Sequence, residues 1–241
     1  MIFVSFDATQ TFRKGAAEGP ARIKEVLKYL ETYVNGFDLS NVFIKEQTLS
    51  AKSVKELLAR AEKVEISEFP VIIGGEHTVS YPFIKKISPE LVLWADAHPD
   101  CEKKELSHDS VCYHLINEGF NVAFYGLRTL SLAERDFLAK NKIKVLRGPD
   151  LKIALKKRDK IYLSFDLDVI DPSIIPAVGN PDPSGISFAA AQDLIKAVAK
   201  KLCAVDFVEY TPLKCDCDII SRTLIGKLIY STLAEICKIK R

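Results

Sequence analysis

Polar and apolar positions follow two rhythms in turn along the chain. Apolar residues crowd into short runs over 2–6, 42–44, 71–73, 91–94, 122–125, 143–146, 161–165 and 204–208. Such runs predict strands covered on both sides, as in a parallel sheet. Between them apolar residues recur at helical spacing, which predicts helices over 19–33, 51–63, 79–87, 111–118, 133–140, 151–157, 188–200 and 219–236. The segment after Ser187 shows this best: Phe188, Ala191, Ile195, Val198 and Leu202 form one stripe, with Ser187 placed to cap the first turn. Pro20 stands where a first turn tolerates a missing N–H. Strand and helix alternate without a break in composition, so residues 1–241 are expected to form one α/β domain around a parallel sheet.

Three of the strands end in groups that burial alone does not select. Leu91-Val-Leu-Trp-Ala runs into Asp96, His98 and Asp100; Ile161-Tyr-Leu-Ser-Phe runs into Asp166 and Asp168; Val71-Ile-Ile-Gly-Gly is followed by Glu76 and His77. Residues two apart on a strand point the same way, and reacting groups in an open parallel sheet gather at the carboxyl ends of strands. The three stretches therefore predict one pocket. Carboxylates and imidazoles form a hard oxygen-and-nitrogen ligand set. Asp96, Asp100, Asp166 and Asp168 together would repel unless compensated, and two divalent cations cancel their formal charge.

Regularity fails over 171–186, which is dense in Pro and Gly and leaves directly from Asp168. Long loops inside compact domains tend to be functional, so this one is expected over the mouth of the pocket. Net charge is +2 in 241 residues, with 48% hydrophobic and 27% charged positions. That balance excludes disorder and offers no basic face for nucleic acid or an anionic membrane. No uncharged run is long enough to span a bilayer, and the amino terminus lacks a basic region before Asp7. A cytoplasmic protein is expected. Six cysteines contain no Cys-x-x-Cys pair and are read as free thiols, with the spacing of Cys215 and Cys217 incidental.

Gly-Gly-Glu-His-Thr at 74–78, Asp-Ala-His-Pro-Asp at 96–100 and Ser-Phe-Asp-Leu-Asp-Val-Ile-Asp-Pro-Ser at 164–173 resemble the three signature stretches of the ureohydrolases, the arginase and agmatinase family. The likeness runs from Arg13-Lys14-Gly15 to Val208-Glu209-Tyr210-Thr211-Pro212. It implies a three-layer α/β/α sandwich with a mainly parallel sheet of about eight strands, assembled as a trimer or hexamer. By the same resemblance two Mn(II) ions are held, one by His77, Asp96, Asp100 and Asp166, the other by Asp96, His98, Asp166 and Asp168, with Asp96 and Asp166 bridging. His108 matches the family's proton-shuttling histidine, and Glu209 matches a carboxylate that grips the guanidinium. Arg128 echoes a structural or interface residue, and His114 is read as structural.

Departures touch the substrate side more than the metals. Glu76 and Thr78 replace the usual Asp and Ser around His77, Asp109 and Ser184 stand where Gly is common, and Thr211 replaces a frequent Asn. The stretch Cys101-Glu-Lys-Lys-Glu-Leu-Ser107 is short and lacks the amide groups with which arginases read a substrate carboxylate. A small guanidino amine, agmatine giving putrescine and urea, is therefore expected before arginine or formiminoglutamate, with Lys103 and Lys104 as the residues that could reverse that order. Two rivals remain within the fold. The related zinc deacetylases need a histidine pair that Asp-Ala-His-Pro-Asp lacks, and a non-catalytic metal-binding regulator needs neither His108 nor Glu209.

Overall fold

The unbroken apolar runs lie side by side. In the computed structural model, which describes residues 1–66, 68–147, 151 and 158–239, the chain forms β1 (Ile2–Ser5), a small antiparallel hairpin of β2 (Tyr33–Val34) and β3 (Phe37–Asp38), β4 (Gln47–Ser50), β5 (Val71–Gly74), β6 (Leu91–Ala95), β7 (Val122–Tyr125), β8 (Lys144–Leu146), β9 (Ile161–Asp166) and β10 (Leu202–Val208). Apart from the hairpin these make one eight-stranded parallel sheet in the order β4-β1-β5-β10-β9-β6-β7-β8. The α/β/α sandwich expected from the sequence is the observed fold.

Alternation along each strand divides the core into two layers. Phe3, Ile73, Leu93, Leu163, Val205 and Phe207 face one cluster, completed by α1 (Gly19–Val26), α6 (Phe188–Val198) and α7 (Cys217–Ile239). Val4, Ile72, Val92, Trp94, Phe124 and Tyr162 face the other, completed by α2 (Val54–Glu62), α3 (Ser80–Ile87), α4 (Val111–Asn117) and α5 (Leu132–Lys140). Ser187 caps α6 by accepting the Ala190 N–H at 3.1 Å.

Four expectations need correction or limits. No sheet strand forms at 42–44: Phe43 is 90% exposed there, and the edge strand is Gln47–Ser50, whose single buried residue, Leu49, gives it the polar alternation of a strand with one face in solvent. The first helix stops at Val26, with a 3₁₀ turn to Tyr29, because Asn35 (φ 53°) and Gly36 (φ 77°) build a tight turn that takes Tyr33 into the hairpin. Cys215 and Cys217 are joined in a disulfide rather than free; the bend around Asp216 brings their Cα atoms to 5.3 Å, within bonding range. Cys101, Cys112 and Cys203 carry free thiols. The helix expected over 151–157 lies, save for Leu151, outside the described residues. No helix among the described residues is long and apolar enough to cross a membrane.

The chain order places the chemistry. β5, β10, β9 and β6 are consecutive at the centre of the sheet, and each ends at the same edge. Gly75 makes the junction possible: a Cβ there would lie 2.0 Å from the Phe6 carbonyl oxygen, whereas Gly lets its own N–H reach Val4 O at 2.9 Å and the next N–H reach Phe6 O at 2.8 Å.

Candidate functional site

Each central strand delivers its polar groups where its apolar run stops. The end of β5 passes through Gly74-Gly75 and sets His77 at the head of a 3₁₀ turn, 1% exposed. Its Nδ1 lies 3.0 Å from Asp100 Oδ2 and 3.1 Å from both Asp96 Oδ2 and Asp166 Oδ2. That nitrogen is buried and finds no hydrogen-bond partner among the described residues. His98 Nδ1 lies 2.9 Å from Asp168 Oδ2 and 3.6 Å from Asp96 Oδ1. Two groups of potential ligand atoms result, His77 with Asp96 and Asp166, and Asp96 with His98 and Asp168, so Asp96 belongs to both.

Backbone and second-row contacts fix these side chains. Asp96 Oδ1 accepts the His98 N–H at 2.6 Å, Asp166 Oδ1 accepts the Asp168 N–H at 2.7 Å, and Asp168 Oδ1 accepts the Ala97 N–H at 3.0 Å. Asp100 and Glu209 adopt left-handed backbone, φ 48° and 68°, which turns each carboxylate back over the strand ends at a cost of roughly 1–2 kcal/mol apiece. Glu209, at the end of β10, accepts the His77 N–H at 2.7 Å and the Gln10 amide at 3.1 Å.

Burial without compensating charge works against ionisation. Asp100 is pushed up to about 7 by burial and then by Asp96. Asp166 lies well above the usual range by burial, Asp168 and Asp96, and burial likewise pushes Asp168 up. Glu209 is pushed up to about 8, chiefly by burial. Against their burial, His98 is carried up to about 12 by Asp168 and Asp96, and His77 well above its ordinary value by Asp100, Asp166 and Asp96. Asp96 goes the other way, held charged against burial by the two imidazoles. A buried nitrogen with no hydrogen bond, facing carboxylate oxygens that repel one another, fits divalent cations as the missing charge.

All eight residues singled out from the sequence come to this strand-end region. His98, Asp100, Asp166, Asp168, His108 and Glu209 line a cleft of about 250 Å³, with His77 and Asp96 packed beneath it. His108 donates its backbone N–H to Thr9 Oγ1 at 2.9 Å and sets Nε2 3.2 Å from Thr11 Oγ1, and burial lowers its pKa. The irregular loop does border the cleft: Gly179 and Asn180 line it, with Asn180 Nδ2 3.1 Å from His98 Nε2. Arg128 pins that loop, its guanidinium donating to the carbonyls of Asp168, Asp182 and Pro183. His114 bonds the Lys104 carbonyl, away from the acids.

The sequence reading passed over the layer beneath. His77 Nε2 meets Ser164 Oγ at 2.9 Å, which donates to Asp206 Oδ1 at 2.9 Å, while Tyr162 OH donates to Asp206 Oδ2 at 2.7 Å. Trp94 stacks on His77 at 3.9 Å and donates its indole N–H to Asp96 Oδ2 at 2.9 Å. Asp206 inside an otherwise apolar strand was the available signal, because a buried carboxylate demands partners.

Known proteins share much of this chain's sequence pattern and its fold. An agmatinase of Pyrococcus horikoshii is 24% identical over 232 residues, covering 87% of this chain and 82% of its own. An N(1)-aminopropylagmatine ureohydrolase of Thermus thermophilus is 29% identical over 241 residues, covering 87% and 81%. The crystal structure of agmatine ureohydrolase of Thermoplasma volcanium superposes with a TM-score of 0.84 at 23% identity, over 98% of this chain and 89% of that one. The sequence model of the arginase family matches residues 1–234, and with strand ends, acids and imidazoles arranged as described, the chain belongs to the arginase family.

Proposed function

We propose that this protein is a dinuclear manganese ureohydrolase that cleaves a guanidino C–N bond to release urea, with agmatine as the substrate and putrescine as the second product. One observation carries the reading: two His-and-carboxylate groups share Asp96 in a buried pocket beside Glu209. His77, Asp96, Asp100 and Asp166 would hold one Mn(II), and Asp96, His98, Asp166 and Asp168 the other. Bound there, divalent cations supply a strong nucleophile at neutral pH by acidifying water.

The chain's own residues do the rest. A guanidinium is a poor electrophile because its charge is delocalised, so it must be held still with its carbon presented to attack. Glu209 is positioned to accept guanidinium N–H groups, its backbone turn fixing the carboxylate at the cleft wall. His108, kept neutral at pH 7 by burial, can take a proton at Nε2 and return it to the departing amine.

The loop after Asp100 brings no lysine to the cleft, which favours an amine over an amino acid. Neither Lys103 nor Lys104 lines the cleft, and Lys104 pairs with Asp109 at 2.6 Å instead. The deciding assay measures urea release from agmatine, arginine, 4-guanidinobutyrate and formamide release from formiminoglutamate, with and without added Mn(II). Agmatine is expected to give the highest kcat/KM, and only with metal. Equal or faster turnover of arginine would overturn the substrate, and no metal-dependent turnover of any of them would overturn the reaction.

A further inference from the structure

We infer that Glu102 is the specificity-determining residue that receives the far end of the substrate, and that this end is a cation. The inference rests on the ureohydrolase reading and adds to it the chemistry of the tail.

Of the acidic side chains lining the cleft, nearly all already face a compensating partner. Asp100 and Asp168 face imidazoles, and Glu209 accepts from His77 and Gln10. Glu134 is 7% exposed and accepts the N–H groups of Cys101 at 3.1 Å and Ser131 at 2.8 Å, so each of its oxygens already has a donor. Asp109 accepts from Lys104 at 2.6 Å and Ser107 at 2.8 Å. Glu102 differs. Its Oε1 takes the Ser131 hydroxyl at 3.1 Å, and among the described residues no cation pairs with it. Its N–H donates to the Asp109 carbonyl at 3.0 Å, which fixes the main chain at the cleft, and the Ser131 hydroxyl is the contact that orients the carboxylate.

The positive side of the cleft is as telling. Among the described residues Arg13 is the one Lys or Arg that lines it; its Nη2 donates to the carbonyls of Val178 and Thr211, and its Nε is buried without a hydrogen-bond partner. A substrate carboxylate beside Glu102 would meet like charge, with no Lys or Arg among the described residues paired to that side chain to offset it. A substrate ammonium would meet an unpaired carboxylate and form a charge-assisted hydrogen bond. Phe12 and Leu130 line the same cleft and offer apolar surface to a methylene chain between the two ends. The class that fits is an ω-guanidino amine, its tail ending in a primary ammonium or in the secondary ammonium of an N-alkylated chain, since both carry N–H donors and charge.

The test is Glu102→Gln, which keeps the shape and the Ser131 contact and removes only charge. With Mn(II) present, kcat/KM is measured for agmatine and for n-butylguanidine, which shares the guanidine and chain but ends in methyl. The ratio of the two is expected to fall about 10- to 100-fold in the variant, mostly through KM. A ratio unchanged within about twofold, whether or not both activities fall together, would overturn the assignment. A second arm measures calorimetric binding of 1,4-diaminobutane, expected to weaken at least about 10-fold in E102Q by the same loss. If the unmodified protein releases urea from no guanidine, the reaction reading falls by itself. Diaminobutane binding then still decides Glu102, with weaker binding by the variant supporting it and equal binding overturning it.

Discussion

Trp94→Phe separates a tryptophan that merely fills the core from one that holds the site. The indole is fully buried, donates to Asp96 Oδ2 at 2.9 Å and stacks on His77 at 3.9 Å with a 10° tilt. Phe keeps one ring and loses the N–H. A hydrogen bond to a charged group is worth about 1.5–3 kcal/mol. Loss of part of the stack removes about 0.5–1 kcal/mol, and the void where the second ring stood costs about 1 kcal/mol. The metal-free variant should therefore be less stable by roughly 3–5 kcal/mol in urea denaturation followed by circular dichroism. Because Asp96 belongs to both ligand groups, freeing one of its oxygens should also weaken Mn(II) binding by about 10- to 100-fold. Trp94 is the only tryptophan, so quenching of its fluorescence by Mn(II) reports occupancy in the unmodified protein directly. A stability loss below about 1 kcal/mol would refute the energetic argument, and a full stability loss with unchanged metal affinity would reduce Trp94 to packing.

Further predictions follow from the same residues. Asp166→Ala should abolish metal binding, whereas His108→Ala should keep both ions and lower kcat by about 10² to 10⁴; metal analysis showing loss from both variants would remove His108 from its proton-transfer role. Loading should also depend on pH in a fixed direction. Asp100, raised to about 7, and His98, raised to about 12, carry protons in the metal-free protein near pH 6.5, and ligation requires the bare forms. Protons are then released on binding, and affinity rises with pH, the combined loading weakening about 10- to 100-fold from pH 7 to pH 6. Titration calorimetry in two buffers of different ionisation heat measures the release, and a value of zero would refute it.

The sheet and the acidic strand ends were legible because both depend on local patterns. Unbroken apolar runs mark strands covered on two faces, and acids at i and i+2, as in Asp166 and Asp168, have no other economical reading at the end of such a run. What escaped was set by tertiary partners. Gln47–Ser50 became the edge strand because β1 accepts it in register, not because of its own apolar content. The small hairpin was signalled by Asn35-Gly36, but the helical pattern ahead of it masked the turn. Ser164 and Asp206 sit on neighbouring strands, paired directly in register, and no linear pattern reveals that they share a hydrogen bond under His77. The pairing of Cys215 with Cys217 depends on the bend before α7, which composition does not encode.

The two ligand groups lie at different depths. The His77 side chain is 1% exposed, whereas that of His98 is 20% exposed with Asn180 set against its outer nitrogen. On the proposed assignment the positions are therefore unequal in time as well as in space. An ion beside His77 would be screened from water more fully than one beside His98 and would exchange more slowly. A chelator should therefore strip the protein in two phases, the faster belonging to the His98 ion. A cell short of metal would then hold a population of half-loaded molecules that lack only the ion at the mouth.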